Sequence, residues 1–186
     1  MISGTYGETI LNPVAAVAVF LLLLYVLFAP RHKAIVPLLI AACTFPMAQR
    51  VVIFGADFTM LRILIIGYVV RVAFRGEFRS IGWNRLDTTM VLWCVSRATV
   101  MPIAHESTEI LVYAIAWSLD RLGIYFVGRS LIRSWSDLKY VASAIAVLSV
   151  PVAILFAAEW TTGYNIFSVF GDVPARTVVR GGRLRC

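Results

Sequence analysis

The residues best suited to chemistry in this chain are arginines, and they occur in two settings. Arg176, Arg180, Arg183 and Arg185 cluster near the C-terminal end around the pair Gly181 and Gly182. A guanidinium keeps its charge at physiological pH and offers a planar fork of N–H donors that matches phosphate oxygens. Adjacent glycines let backbone approach a ligand closely. The other reading of this tail is a basic strip that attracts anionic lipid headgroups.

In the second setting Arg62, Arg71, Arg97 and Arg121, with Asp120, stand inside stretches that are otherwise apolar. On insertion scales such a charge costs about 2.5–3.5 kcal/mol near the centre of a membrane helix, so each must meet protein, water or a counter-charge. Arg71 is close enough to one end of its stretch to snorkel. Arg97 and Asp120 are several residues from either end of neighbouring stretches joined by a short turn, which predicts a buried Arg97–Asp120 ion pair. The alternative is a polar cavity opening outward, in which Arg62, Arg97 or Arg121 binds an anion.

Other chemistry is sparse. His105 lies beside Glu106 and Glu109, a combination that serves acid–base catalysis but is commoner as an ordinary surface loop. His32 belongs to a basic turn. Cys43, Cys94 and Cys186 are widely spaced, with no CxxC pair and no neighbouring histidine to complete a metal site. No GxSxG, HExxH, P-loop or GxGxxG motif is present. The expectation is no catalytic residue within the chain, no metal and no cofactor.

The elements that must carry these arginines follow from composition. Of 186 residues, 60% are hydrophobic and 15% charged, against about 25% charged in ordinary globular chains, and the mean hydropathy is +0.85. The apolar residues fall into blocks about twenty long, the length of a membrane helix. This excludes a soluble enzyme and a disordered chain. An all-α polytopic membrane protein is expected, with about six transmembrane helices at 13–29, 34–54, 58–74, 86–103, 110–132 and 140–158. They form one membrane domain, 1–158, followed by a short irregular basic tail, 159–186. The second block is interrupted by Pro37, Pro46 and Arg50, which lipid tolerates when neighbours satisfy the freed carbonyls.

Charge orients the blocks. The net charge of +7 would suggest nucleic acid on a soluble protein, but here it is placed in loops, and no nucleic-acid partner is expected. Arg31, Lys33, Arg75, Arg79, Arg85, Arg129, Arg133 and Lys139 follow the first, third and fifth blocks, whereas Arg50 alone follows the second or fourth. The positive-inside rule therefore puts those odd turns in the cytoplasm and both termini outside. The tail arginines then face outward, where orientation cannot account for them.

Three segments in order, FGADFTMLRILIIGYVVRVAFRG, NRLDTTMVLWCVSRATVMPI and VVRGGRLRC, resemble the N-terminal half of the O-antigen ligase and polymerase superfamily of membrane glycosyltransferases, including its exopolysaccharide-polymerase-like members. The features shared are an arginine on an early helix (Arg62), an aspartate at the start of the next (Asp87, after Arg85 and Leu86) and an outward arginine–glycine segment. The resemblance implies a bacterial inner-membrane protein that transfers glycan from a polyprenyl diphosphate carrier on the outer face, without metal. It implies diphosphate binding by Arg180, Arg183 and Arg185, with Arg62 as a deeper helper. The family's histidine lies in a large outer loop, so that role does not pass to His105. Family members are roughly twice this long, which implies a truncated and, alone, inactive chain. The competing expectation is a small six-span transporter half or structural subunit, with Arg97 and Asp120 lining a path and the bilayer as its main partner.

Overall fold

The computed structural model describes residues 9–46, 49–53, 56–77, 82–105, 108–171, 175–176, 178–180 and 183–185. Most of them are helical, in six α-helices: α1 (Pro13–Phe28), α2 (Val36–Thr44), α3 (Met60–Phe74), α4 (Arg85–His105), α5 (Thr108–Leu131) and α6 (Trp135–Thr162). Two short antiparallel ribbons complete the described structure, β1 (Arg50–Ile53) with β2 (Ala56–Thr59) and β3 (Val178–Arg180) with β4 (Arg183–Arg185).

Local chemistry sets the helix limits. α1 starts where Asn12 accepts from the Val14 amide at 2.8 Å and Pro13 supplies a preset φ. It stops at Ala29, extended before Pro30. α4 starts on a reciprocal pair, Asn84 N to Asp87 Oδ2 at 2.7 Å and Asp87 N to Asn84 Oδ1 at 2.9 Å. α6 opens with a Ser134–Asp137 capping box and closes at Gly163, whose φ of 66° is left-handed.

The hydrogen bonds fix which ends lie together. Ile10 and Arg50 exchange backbone bonds of 3.0 Å, Asn12 donates to Val169 O, and Gly171 packs against Asn12 and Gln49. The start of α1, the β1–β2 ribbon and the segment after α6 thus share one end, here called the outer end. At the opposite, basic end, Arg71 donates to Val26 O and, at 2.8 Å, to Ala29 O; Arg75 reaches Leu27 O at 2.8 Å. Arg31 pairs with Asp137, and Arg129 with Asp87. Helices α1, α3 and α5 therefore run toward the basic end and α2, α4 and α6 away from it. The buried cluster Val26, Ala34, Ile35, Leu38, Ile65, Tyr68, Val127 and Leu131 lies at the basic half, between α1, α2, α3 and α5.

Two helices, Ile110–Leu131 and Trp135–Thr162, are long and apolar enough to cross a membrane. The other expected spans differ for identifiable reasons. Within 34–54 nine of the described residues are α-helical, about 13 Å of rise, because Pro46 holds Phe45 extended; Arg50–Ile53 form β1 at the outer end. α1 and α3 have 16 and 15 residues, about 24 and 22 Å. α4 has the length, 21 residues, but carries three threonines, a serine and Arg97. Nor is the tail wholly irregular: a 3-10 turn (Ile166–Phe170), a Tyr164–Arg176 bridge and β3–β4 lie in it.

Helix contact relies on two glycines. A Cβ on Gly67 would collide with Leu23 of α1, and one on Gly123 with Ile65 of α3; small residues permit such approach. Gly128, on the same helix as Gly123, has open space. Gly67→Val and Gly123→Val are expected to destabilise the bundle by about 1–3 kcal/mol each, and Gly128→Ala to be neutral or mildly stabilising. Thermal unfolding in detergent checks this, and equal melting of all three variants would refute the packing.

Candidate functional site

Charge in the middle of the bundle is organised by Arg62. As the third residue of α3 it is positioned by the Thr59 N-cap, whose hydroxyl accepts from the Arg62 amide at 3.3 Å. Its guanidinium forks onto Asp120 of α5 through two bonds of 2.7 Å, Nε to Oδ1 and Nη2 to Oδ2, and also donates to Asp57 O. Both side chains are largely buried, 17% and 24% exposed. Bidentate geometry makes this the strongest class of side-chain ion pair.

This corrects the expected Arg97–Asp120 pair. Asp120 is saturated by Arg62, and Arg97 instead stacks on Trp117, its Cζ 4.1 Å from the ring centroid. Although α4 and α5 are sequence neighbours, the Asp120 carboxylate faces across to α3, two helices earlier in the chain. Arg62 likewise has no free fork for a diphosphate in this arrangement. Arg71 does not snorkel: it is 1% exposed and serves the terminal carbonyls of α1, which a helix ending in apolar surroundings must have satisfied.

The tail arginines stand apart from this pair. β3 and β4 are joined through Gly181 and Gly182, which lie outside the described residues, and pair as Val178 with Arg185, Val179 with Leu184 and Arg180 with Arg183. Directly paired residues share a face of a ribbon and successive residues alternate. Positions 178, 180, 183 and 185 thus occupy one face, three of them arginines, with 179 and 184 on the other. Arg176, exposed, precedes them in the bridge to Tyr164, at the outer end where α6 finishes. His105 is exposed at the end of α4; Glu106 and the Glu109 side chain lie outside the described residues.

Sequence reasoning missed the basic-end network. Asp87 is fully buried and accepts from Tyr125 at 2.8 Å and from Arg129. Arg31 and Asp137, 3.3 Å apart, with His32, Ser136 and Tyr140 line an open cavity of about 390 Å³. Asp137 precedes the apolar run of α6. Its carboxyl is held below the usual carboxylate range, first by the Arg133 amide and then by the Ser134 hydroxyl, against the opposing effect of burial, with the Arg31 charge helping. The signal available in sequence was the Ser134-x-x-Asp137 box.

No protein-family model, curated protein or solved structure matches this chain.

A double-mutant cycle on Arg62→Gln and Asp120→Asn is expected to show coupling above about 1 kcal/mol, and the cycle on Arg97→Gln and Asp120→Asn coupling near zero. Thermal unfolding in detergent gives both numbers, and the reverse ranking would restore the Arg97–Asp120 pair. For Asp137, a carboxyl with a folded value below its unfolded value of about 3.9 contributes fully at neutral pH and loses that contribution as pH falls through the folded value. Asp137→Asn should lower stability at pH 7 and flatten its decline below about pH 4; an unchanged acid limb would refute the assignment.

Proposed function

We propose that this chain is a multi-pass inner-membrane protein that binds a polyprenyl-diphosphate-linked glycan at its extracytoplasmic end, as a donor-binding element of ligase- or polymerase-type glycan transfer. The single observation carrying this reading is the β3–β4 register, which sets three arginine positions on one face of a ribbon. Diphosphate concentrates negative charge on a compact group, and several guanidinium forks can stabilise it as it becomes a leaving group.

The membrane part of the proposal is six crossings, with the basic turns in the cytoplasm and both termini outside. Alternating helix directions support it, α2 and the extended segment after it acting together as a broken crossing; irregular backbone at such depth is tolerated where protein buries it. A further support is α6, 28 residues long with exposed Ile145, Val147, Val150, Ile154 and Phe156. A helix apolar on all sides and uncovered by its own chain suits lipid. Arg62 acts here as a positioning residue that fixes α3 to α5.

Photocrosslinking with a polyprenyl diphosphate sugar in nanodiscs tests the reading. Labelling is expected in the wild-type chain and should fall about a thousandfold in the triple variant Arg180→Gln, Arg183→Gln, Arg185→Gln, each charge-assisted contact counting for about tenfold. Unchanged labelling in that triple variant, or in a chain ending at Gly171, removes the proposal. Thiol labelling of Cys186 in a Cys43→Ser, Cys94→Ala background should proceed from the extracytoplasmic side; cytoplasmic labelling would overturn the orientation.

A further inference from the structure

Pairing Asp120 with Arg62 leaves a positive remainder on the α4–α5 hairpin. Arg97 and Arg121 converge on one ring, with Cζ atoms 4.1 and 4.9 Å from the Trp117 centroid. Trp93 meets Trp117 edge-on at 5.1 Å between centroids. Each arginine sits four residues after a tryptophan of its own helix, Trp93 before Arg97 and Trp117 before Arg121, so each helix stacks an indole and a guanidinium on one face. Among the described residues, neither arginine has a carboxylate within ion-pair distance, and Arg97 Nε is buried with no hydrogen-bond acceptor. Two like charges thus share one indole.

A cation–π contact offsets part of a guanidinium's desolvation but supplies no counter-charge. Snorkelling does not relieve Arg97. Helical side chains lean toward the helix N-terminus, which for α4 is the basic end, so Arg97 leans into the bundle from a position about 12 Å below the outer end of α4. Trp117 is about 14 Å below the start of α5, the same height. At that height the covering helices stop. Asp120 lies about 18 Å along α5 yet meets the third residue of α3, so the outer parts of α4 and α5 rise beyond α3. Val100, Ile103, Val112 and Tyr113 are exposed there, and Trp93 and Arg121, lower on the two helices, are exposed as well.

We propose that Arg97 and Arg121, on the shelf formed by Trp117 and Trp93, bind one phosphate group that enters from the side of the α4–α5 hairpin. Phosphate fits because its oxygens can accept from two forks at once, and the open flank admits a phosphate carried on a lipid. The site is separate from the β3–β4 arginines and does not depend on the reading given to them.

The test uses the full chain in maltoside detergent. It is titrated with dioleoylphosphatidylglycerol, with dioleoylglycerol, which has the same tails and no phosphate, and with inorganic phosphate. Tryptophan fluorescence reports binding and native mass spectrometry reports retained lipid. The phosphatidylglycerol is expected to bind as one retained molecule and dioleoylglycerol not to bind. Arg97→Gln and Arg121→Gln should each weaken binding about tenfold, and Arg85→Gln, an exposed arginine elsewhere on α4, should leave it unchanged. Arg121→Gln is an exposed change that does not threaten folding, and Arg97→Lys keeps the charge while losing the fork. Competition by inorganic phosphate at comparable concentration assigns the site to free phosphate; weak competition assigns it to lipid. Equal binding of the two lipids, equal loss in Arg85→Gln, or a phosphate-independent dimer that Arg97→Gln dissolves would overturn the proposal, the last by giving the site to a carboxylate of another chain.

Discussion

A guanidinium in an apolar bundle is costly wherever its donors lack acceptors, and the arrangement of these helices follows from how Arg62, Arg71, Arg75 and Arg129 find theirs. Arg71 and Arg75 take carbonyls at the end of α1, so the parallel pair α1 and α3 is tied at the basic end by side chains. Arg129 meets the buried Asp87 and ties the end of α5 to the start of α4. Arg62 meets Asp120 and ties α3 to the middle of α5. Breaking any of these leaves an uncompensated charge in a low-dielectric setting, a larger loss than the net gain from forming the pair. Their main effect is on register: they state which level of one helix faces which level of the next.

That register produces the step in the outer half. Because Arg62 is at the start of a short helix and Asp120 is midway along a long one, joining them forces α4 and α5 past α3 on the outer side. The buried cluster remains at the basic half, where four helices overlap, and the outer half of the hairpin is left with exposed apolar side chains, Arg97 partly covered on Trp117 and Arg121 exposed just below them. Helix length and charge position therefore act together. A 15-residue α3 paired further toward the outer end of α5 would bring cover to Trp117 and remove the flank on which the phosphate site opens.

Composition made the all-helical class legible, since apolar blocks separated by basic turns admit little else; the first block begins at Pro13, where α1 does, but a sixth block placed from 140 overlooks the Ser134-x-x-Asp137 box that starts α6 at Trp135. The length of α2 was less so. Its proline positions were noticed, but hydropathy over 34–54 registers solvent preference and not backbone geometry, so a nine-residue helix plus extended chain reads the same as one span. Partner choice among the charges was not legible at all. Arg97 and Asp120 satisfy any one-dimensional rule for neighbouring antiparallel helices; only the rotation of α5, which turns Asp120 toward α3 and Trp117 toward α4, separates the two arginines. A residue pair 58 positions apart leaves no local trace in a single sequence.

The tail illustrates the opposite case, in which sequence types were informative and geometry sharpened them. Arginines around a glycine pair are by themselves only a source of positive charge. Once strands on either side of that pair are in register, alternation sorts the positions: 180, 183 and 185 fall on one face together with 178, and 179 and 184 on the other. A strip attracting headgroups by charge alone needs no such division, because screening over a Debye length of roughly 8–10 Å averages over the positions of individual side chains. A compact dianion does need it, since its oxygens accept only from donors that reach it together. Placement of the three arginine positions on one face is the feature on which the proposed diphosphate reading rests.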